Sequence, residues 1–118
     1  MELNTQTINT PPRPAATVLM LRDAPQGLAV LLIKRHAQSD VLGGAYVFPG
    51  GKVDAADAQA LVLSLLDQPA QTLQERLCES GISAAQAAAI FIAATREVFE
   101  ESGILFAQNV SAQQTAQA

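Results

Sequence analysis

Nothing breaks a helix from Ala84 to Ser102, and both ends of that stretch carry stop signals. Ser83, with Gln86 three residues on, predicts a capping box in which each side chain satisfies a backbone N–H at the helix start. Gly103 stands where a C′ glycine belongs. The last turns of this helix are acidic. At 100° per residue, Glu97 at 0° puts Glu100 at about 300° and Glu101 at about 40°, so three carboxylates share an arc of roughly 100°. Phe91 and Val98 fall near ~100–120°, and Phe99 and Ile92 near ~200–220°. The helix is expected to pack through that side and to present its acids on the other.

A solvated acidic face is the ordinary explanation of such an arc, and two magnitudes oppose it. Like charges at i,i+3 and i,i+4 destabilise by roughly 0.2–0.5 kcal/mol per pair. Negative charge in the last turn also opposes the macrodipole, by roughly 0.3–1 kcal/mol per residue. Arg96 neutralises only one unit. A helix that gathers acids at its unfavourable end is better explained by a cation. Carboxylate oxygens suit a hard ion, Mg²⁺ or Mn²⁺, rather than zinc.

Composition narrows the partners. Seven Lys+Arg against eleven Asp+Glu, a net charge of −4, argue against an electrostatic nucleic-acid binder or a polybasic membrane anchor. The single cysteine, Cys78, excludes an internal disulfide and a Cys-based zinc site, and reads as a small, partly buried side chain. No apolar run approaches the ~20 residues of a membrane span, and Met1–Thr10 lacks the basic and apolar regions of a signal peptide. A soluble cytoplasmic protein is the expectation, with oligomeric state left open. A chain of 118 residues allows one domain at most. Residues 1–14 and 108–118 are polar and carry no apolar period, so the domain is expected over 15–107. With 49% hydrophobic residues and few aromatics, its core must be aliphatic and alanine-rich.

Ala15–Arg22 and Leu28–Arg35 are apolar runs across a five-residue link containing Pro25 and Gly27, which predicts a β-hairpin. Their nearly continuous apolar character predicts burial on both faces. Ala37–Gly44 reads as a loop and Ala45–Phe48 as a short strand stopping at Pro49-Gly50-Gly51. Ala55–Asp67 and Gln71–Glu79 read as two short helices, and Ile104–Phe106 as a further strand.

Arg96-Glu97-Val98-Phe99-Glu100-Glu101-Ser102-Gly103-Ile104 resembles the second half of the Nudix box, G-x5-E-x7-R-E-U-x-E-E-x-G-U with U aliphatic, at every specified position. Phe48-Pro49-Gly50-Gly51-Lys52-Val53-Asp54 resembles the strand and loop that open the box, with Gly51 as its first specified glycine. Counting on five residues, the box's glutamate falls on Asp57, which keeps the charge and shortens the reach. Between Gly51 and Arg96 stand 44 residues, against 13 in the box. The resemblance therefore implies an insertion, at about 58–88, which loop-closure entropy tolerates. Insertions here resemble the coenzyme A diphosphatase branch. Leu31-Leu32-Ile33-Lys34-Arg35-His36, Gly44 and Phe48–Gly51 follow the upstream pattern of that branch, L-L-T-x-R-[S/A]-x3-R-x3-G-x3-F-P-G-G. Ile33, His36 and Asp40 depart from it, and Asp40 reverses the charge of an arginine.

The resemblance implies an α/β fold, a Nudix-like α/β/α sandwich. Only its N-terminal part is expected here: hairpin, strand and Gly-Gly loop, helical insertion and carboxylate-bearing helix. Fifteen residues follow Gly103, which predicts a fragment of a longer protein. The implied activity is metal-dependent hydrolysis of a diphosphate linked to another moiety, with a small-molecule substrate such as CoA or acyl-CoA. Nucleotides and nucleotide sugars are the alternative substrates, and a non-catalytic binding module the alternative class. Glu97, Glu100, Glu101 and the Gly50 carbonyl would hold Mg²⁺ or Mn²⁺. Glu97 could instead serve as general base. Arg96 would orient a carboxylate or contact phosphate. Arg35, Gly51 and Lys52 are the candidate substrate contacts, while His36 reads as a solvated loop residue.

Overall fold

A computed structural model describes residues 5–7, 9–39 and 43–108. Six short strands precede the helices: β1 Ala15–Thr17, β2 Leu21–Ala24, β3 Gly27–Val30, β4 Ile33–Lys34, β5 Tyr46–Val47 and β6 Gly50–Lys52. A 3-10 turn at Ala55–Ala58 follows, then α1 Ala60–Leu63, α2 Ala70–Leu77 and α3 Ala84–Ser102. Among the described residues the strands form three separate antiparallel pairs, β1 with β6, β2 with β3 and β4 with β5.

The expected hairpin is present but smaller. Leu21 faces Val30 and Ala24 faces Gly27, so the turn has two residues, Pro25 and Gln26, and Gly27 opens the second strand at φ +123°. The first apolar run divides: Ala15–Thr17 leaves the hairpin and pairs with Gly50–Lys52, Ala16 opposite Gly51. The two glycines expected in a loop thus lie in a strand. Burial on both hairpin faces is not observed. Leu21 and Leu28 are 56% and 70% exposed; among the described residues β2 and β3 pair only with each other.

The helical region differs in detail. Ala55–Asp67 is no continuous helix, since Gln59 is extended between the 3-10 turn and α1. Asp54 and Asp57 form a capping box across that turn, and Asp57 is drawn onward to Arg96. α2 begins at Ala70 and ends before Glu79, at Cys78, which adopts φ +50°. Cys78 is exposed rather than partly buried. Ile104–Phe106 forms no strand. Asp40 and 109–118 lie outside the described residues, as do 1–4 and 8.

The capped helix α3 agrees with expectation. Ser83 accepts from the Gln86 N–H, the Gln86 side chain accepts from the Ser83 N–H, and Gly103 closes the helix at φ +76°. Ala87, Ala88, Ala89, Ala93 and Val98 are buried along it, with Ala16 of β1 and Leu73 of α2. Alanine lets α2, β1 and β6 approach the helix axis closely. This packing brings β6 and the 3-10 turn against the C-terminal half of α3. No described helix is long and apolar enough to cross a membrane.

Candidate active site

Arg96 organises the site. Its Nε donates to Asp57 Oδ1 at 2.9 Å, and its Nη2 donates to Asp57 Oδ2 at 3.0 Å. The second Nη2 hydrogen bond goes to the Lys52 carbonyl at 3.0 Å. Nη1 donates to Glu97 Oε1 at 3.0 Å and to Glu100 Oε2 at 3.1 Å. A guanidinium has five N–H donors, and all five are engaged. None is left for a phosphate oxygen, so of the two roles expected for Arg96 this arrangement provides orientation.

Asp57 is the residue that sequence reasoning undervalued. It is 2% exposed and receives the planar fork of Arg96, the geometry that suits a carboxylate best. It also accepts from the Asp54 N–H at 2.8 Å. Burial alone would raise its pKa. The hydrogen bonds from Arg96 and from Asp54, with the guanidinium charge, outweigh burial and hold the carboxyl below its usual value. Arg96 is raised in turn, first by its hydrogen bonds to Asp57, against a smaller opposing effect of burial, with Glu97 and Glu100 adding to the rise. The signal that marks Asp57 was present in the sequence, with five residues between it and Gly51. What the count could not show is that its partner stands 39 residues away.

The glycines serve close approach. A Cβ on Gly50 would strike the Ala16 carbonyl, so β1 can lie against β6 only if position 50 is bare. A Cβ on Gly51 would overlap the Glu97 carboxylate. The Gly50 N–H donates to Glu101 Oε2 at 3.2 Å, which ties the loop to the far edge of the acidic arc. Lys52 meets the site through its carbonyl, with its side chain exposed. The side chain of Glu97 is 16% exposed and that of Glu100 54%, so the acids run from an enclosed member to an open one.

Glu97, Glu100, Glu101, Gly50 and Gly51 are therefore brought together. Arg35 and His36 meet the site from the β4–β5 side, lining a cavity that Glu101 also borders. Among the described residues, no group of three or more His, Cys, Asp or Glu side chains is gathered closely enough to hold a metal ion. Glu97 and Glu100 instead share the positive charge of Arg96 Nη1.

A family profile described as the NUDT19 Nudix domain matches residues 5–118. No solved structure matches the chain. The match spans the strand, the insertion and α3, and its α/β character agrees with the small antiparallel pairs and packed helices of the fold. Nudix proteins are hydrolases of pyrophosphate bonds that generally use divalent metal ions. With both halves of the box joined at Arg96 and the profile covering nearly every residue, the chain belongs to the Nudix family.

Proposed function

We propose that this chain hydrolyses the diphosphate linkage of a nucleoside diphosphate joined to another moiety, with Mg²⁺ or Mn²⁺, and that CoA or acyl-CoA is the substrate. The observation that carries the reading is the Arg96 hub. One guanidinium joins Asp57, Glu97, Glu100 and the Lys52 carbonyl, so the halves of the box meet despite the insertion. The donor set suits a hard divalent cation: the carboxylates of Glu97, Glu100 and Glu101, with the Gly50 carbonyl. The bare Gly51 leaves room for the Glu97 carboxylate at this edge.

When bound, such an ion neutralises diphosphate oxygens and acidifies a water molecule. The protein groups supply position. Arg96 turns Glu97 and Glu100 toward one face, and the Gly50 N–H holds Glu101. In this reading Glu97 helps hold the ion or, instead of that, takes the proton of the attacking water as general base, while Arg35 and Lys52 bind phosphate oxygens. Phosphoryl transfer asks for little more than such positioning and charge compensation.

A binding module is the second reading, and one observation favours it: the described acids are not gathered into a cation cage. Incubation of the Mg²⁺-loaded protein with CoA, ATP, NADH and ADP-ribose, followed by chromatography, separates the readings. The expected products from CoA are 3′,5′-ADP and 4′-phosphopantetheine. ATP should react more slowly, since it lacks the pantetheine arm and its remote binding energy. Faster turnover of ADP-ribose or NADH would replace CoA as substrate and keep the hydrolase. No turnover of any of them would leave the binding module.

A further inference from the structure

We propose that the helical insertion builds a binding site for the aliphatic tail of the substrate, so that an acyl-CoA, rather than CoA itself, is the ligand this chain holds best. The inference rests on the diphosphohydrolase reading and adds to it a second contact region, away from the carboxylates. Val53, Ala55, Ala58, Ile82, Ala89 and Ile90 line an open trough of about 520 Å³ between the end of β6, the 3-10 turn and the N-terminal half of α3. Sites for small molecules run to roughly 300–1,000 Å³ and are mostly apolar. At roughly 30 Å³ for a water-sized group such as a methylene, the trough exceeds the volume of an eight-carbon chain.

Its charge excludes the phosphate end of the molecule. Among the described residues no Lys, Arg or His lines the trough, and its one charged side chain is Asp54. A phosphate would find a carboxylate there and no cation. The two polar side chains are already engaged. Asp54 Oδ1 accepts from the Ala56 N–H at 2.9 Å, and Gln86 Oε1 accepts from the Ser83 N–H at 2.7 Å. An uncharged, unbranched chain needs neither group, and it gains by leaving water for the alanine and isoleucine walls.

The walls are fastened, and they lie on the helix face that carries the acids. The Val53 N–H donates to the Pro14 carbonyl at 2.9 Å, which holds Pro14 at the trough. Gln74 Nε2 of α2 donates to the Ile82 carbonyl at 2.7 Å, which holds the loop before α3. With Glu97 at 0°, Gln86 falls at about 340°, Ala89 at about 280° and Ile90 at about 20°, overlapping the arc of Glu100 and Glu101. The 3-10 turn stands between the two regions: Ala55 and Ala58 line the trough, while Asp57 reaches Arg96. Ala89 and Glu100 are eleven residues apart, which is about 16 Å along the axis. The fitting ligand therefore carries its diphosphate and its tail at the two ends of an uncharged spacer of about that length. The pantetheine arm of an acyl-CoA is such a spacer.

Calorimetric titration of the metal-free protein with CoA, butanoyl-CoA and octanoyl-CoA separates the tail from the head. Full burial of one methylene strengthens binding about 4-fold. A trough open on one side should give about 2-fold per methylene, so octanoyl-CoA should bind about 16-fold more tightly than butanoyl-CoA. Ala85 is exposed in the first turn of α3 and lines the trough. Ala85→Phe fills the space. Ala85→Asp sets a carboxylate in it, at a helix N-terminus that favours one. Each substitution should cut the difference between the two acyl-CoAs to about 2-fold or less.

Equal wild-type affinities for butanoyl-CoA and octanoyl-CoA would overturn the proposal. So would a wild-type difference that persists in both variants, since the tail would then lie elsewhere. Free octanoate binding as tightly as octanoyl-CoA would make the trough a separate fatty-acid site and remove it from substrate binding. A dimer that Ala85→Asp dissociates in sedimentation, with no effect of chain length, would give the trough to a second copy of the chain. Turnover of the Mg²⁺-loaded protein keeps the two readings apart. Hydrolysis of CoA and octanoyl-CoA with equal KM and equal affinity removes the tail site and leaves the hydrolase. A chain-length effect on affinity in a protein that turns over neither keeps the tail site and removes the hydrolase.

Discussion

Replacing Asp57 by asparagine keeps the size of the side chain and removes its charge. The amide then has one oxygen where the carboxylate has two, yet Arg96 and the Asp54 N–H together direct three donors at this group. At least one donor faces an NH₂. Breaking a buried ion pair costs about 3–5 kcal/mol, whereas an exposed pair contributes roughly 0–1 kcal/mol. Here the Asp57 side chain is 3% exposed and that of Arg96 28%, and Arg96 keeps Glu97, Glu100 and the Lys52 carbonyl. A loss of about 2–3 kcal/mol follows. For a domain of this size, each kcal/mol moves Tm by about 4–8 °C, so Asp57→Asn should melt roughly 10–20 °C below wild type.

The pH dependence carries an independent sign. The folded pKa of Asp57 lies below its unfolded value, so its contribution is complete above the ordinary carboxylate pKa of about 3.9. It is lost as pH falls through that value to the lower folded one. Stability measured by urea denaturation across this acid range should fall more steeply for wild type than for Asp57→Asn. A variant that melts within about 3 °C of wild type, with the same acid slope, would refute the view that this pair closes the box.

The two glycines should separate by assay. Gly50→Ala sets a methyl against the Ala16 backbone carbonyl, which cannot swing away, and should lower thermal stability sharply by breaking the β1–β6 pair. Gly51→Ala meets the far end of a side chain, so it should melt nearer to wild type while displacing Glu97 and weakening Mn²⁺ affinity in calorimetry. Glu100→Gln and Glu101→Gln should both weaken Mn²⁺ binding. Metal-free stability should change little, because relief of repulsion at the helix end is offset by loss of the Arg96 contact in one variant and of the Gly50 contact in the other. A clear rise in the metal-free Tm would show those contacts to be negligible. Gly103→Ala, at φ +76°, should cost about 1 kcal/mol in the same melts.

Local signals determined the long helix and the identity of the acids upon it. The Ser83–Gln86 box, the uninterrupted run to Ser102 and the glycine at 103 are contained within a few residues of each helix end, where capping and backbone freedom act. The same locality explains why Glu97, Glu100 and Glu101 were legible: three carboxylates within five residues share a face in any α-helix. The strand partners were not legible. Ala15–Thr17 carries the same apolar character as Leu21–Ala24, and only the bare backbone of Gly50, which accepts the Ala16 carbonyl against it, selects the long-range pairing over the nearby hairpin. Gln59 breaks the expected helix for a similar reason, since the turn before it is shaped by Asp57 reaching a guanidinium far along the chain. His36 shows the same division. Its position in a polar loop is plain from the sequence, but its sharing of a cavity with Arg35 and Glu101 arises because β4–β5 and the end of α3 converge in space. Short-range chemistry resides in the order of the residues; a contact between Asp57 and Arg96 depends on packing that brings distant segments together, and no local pattern encodes that distance.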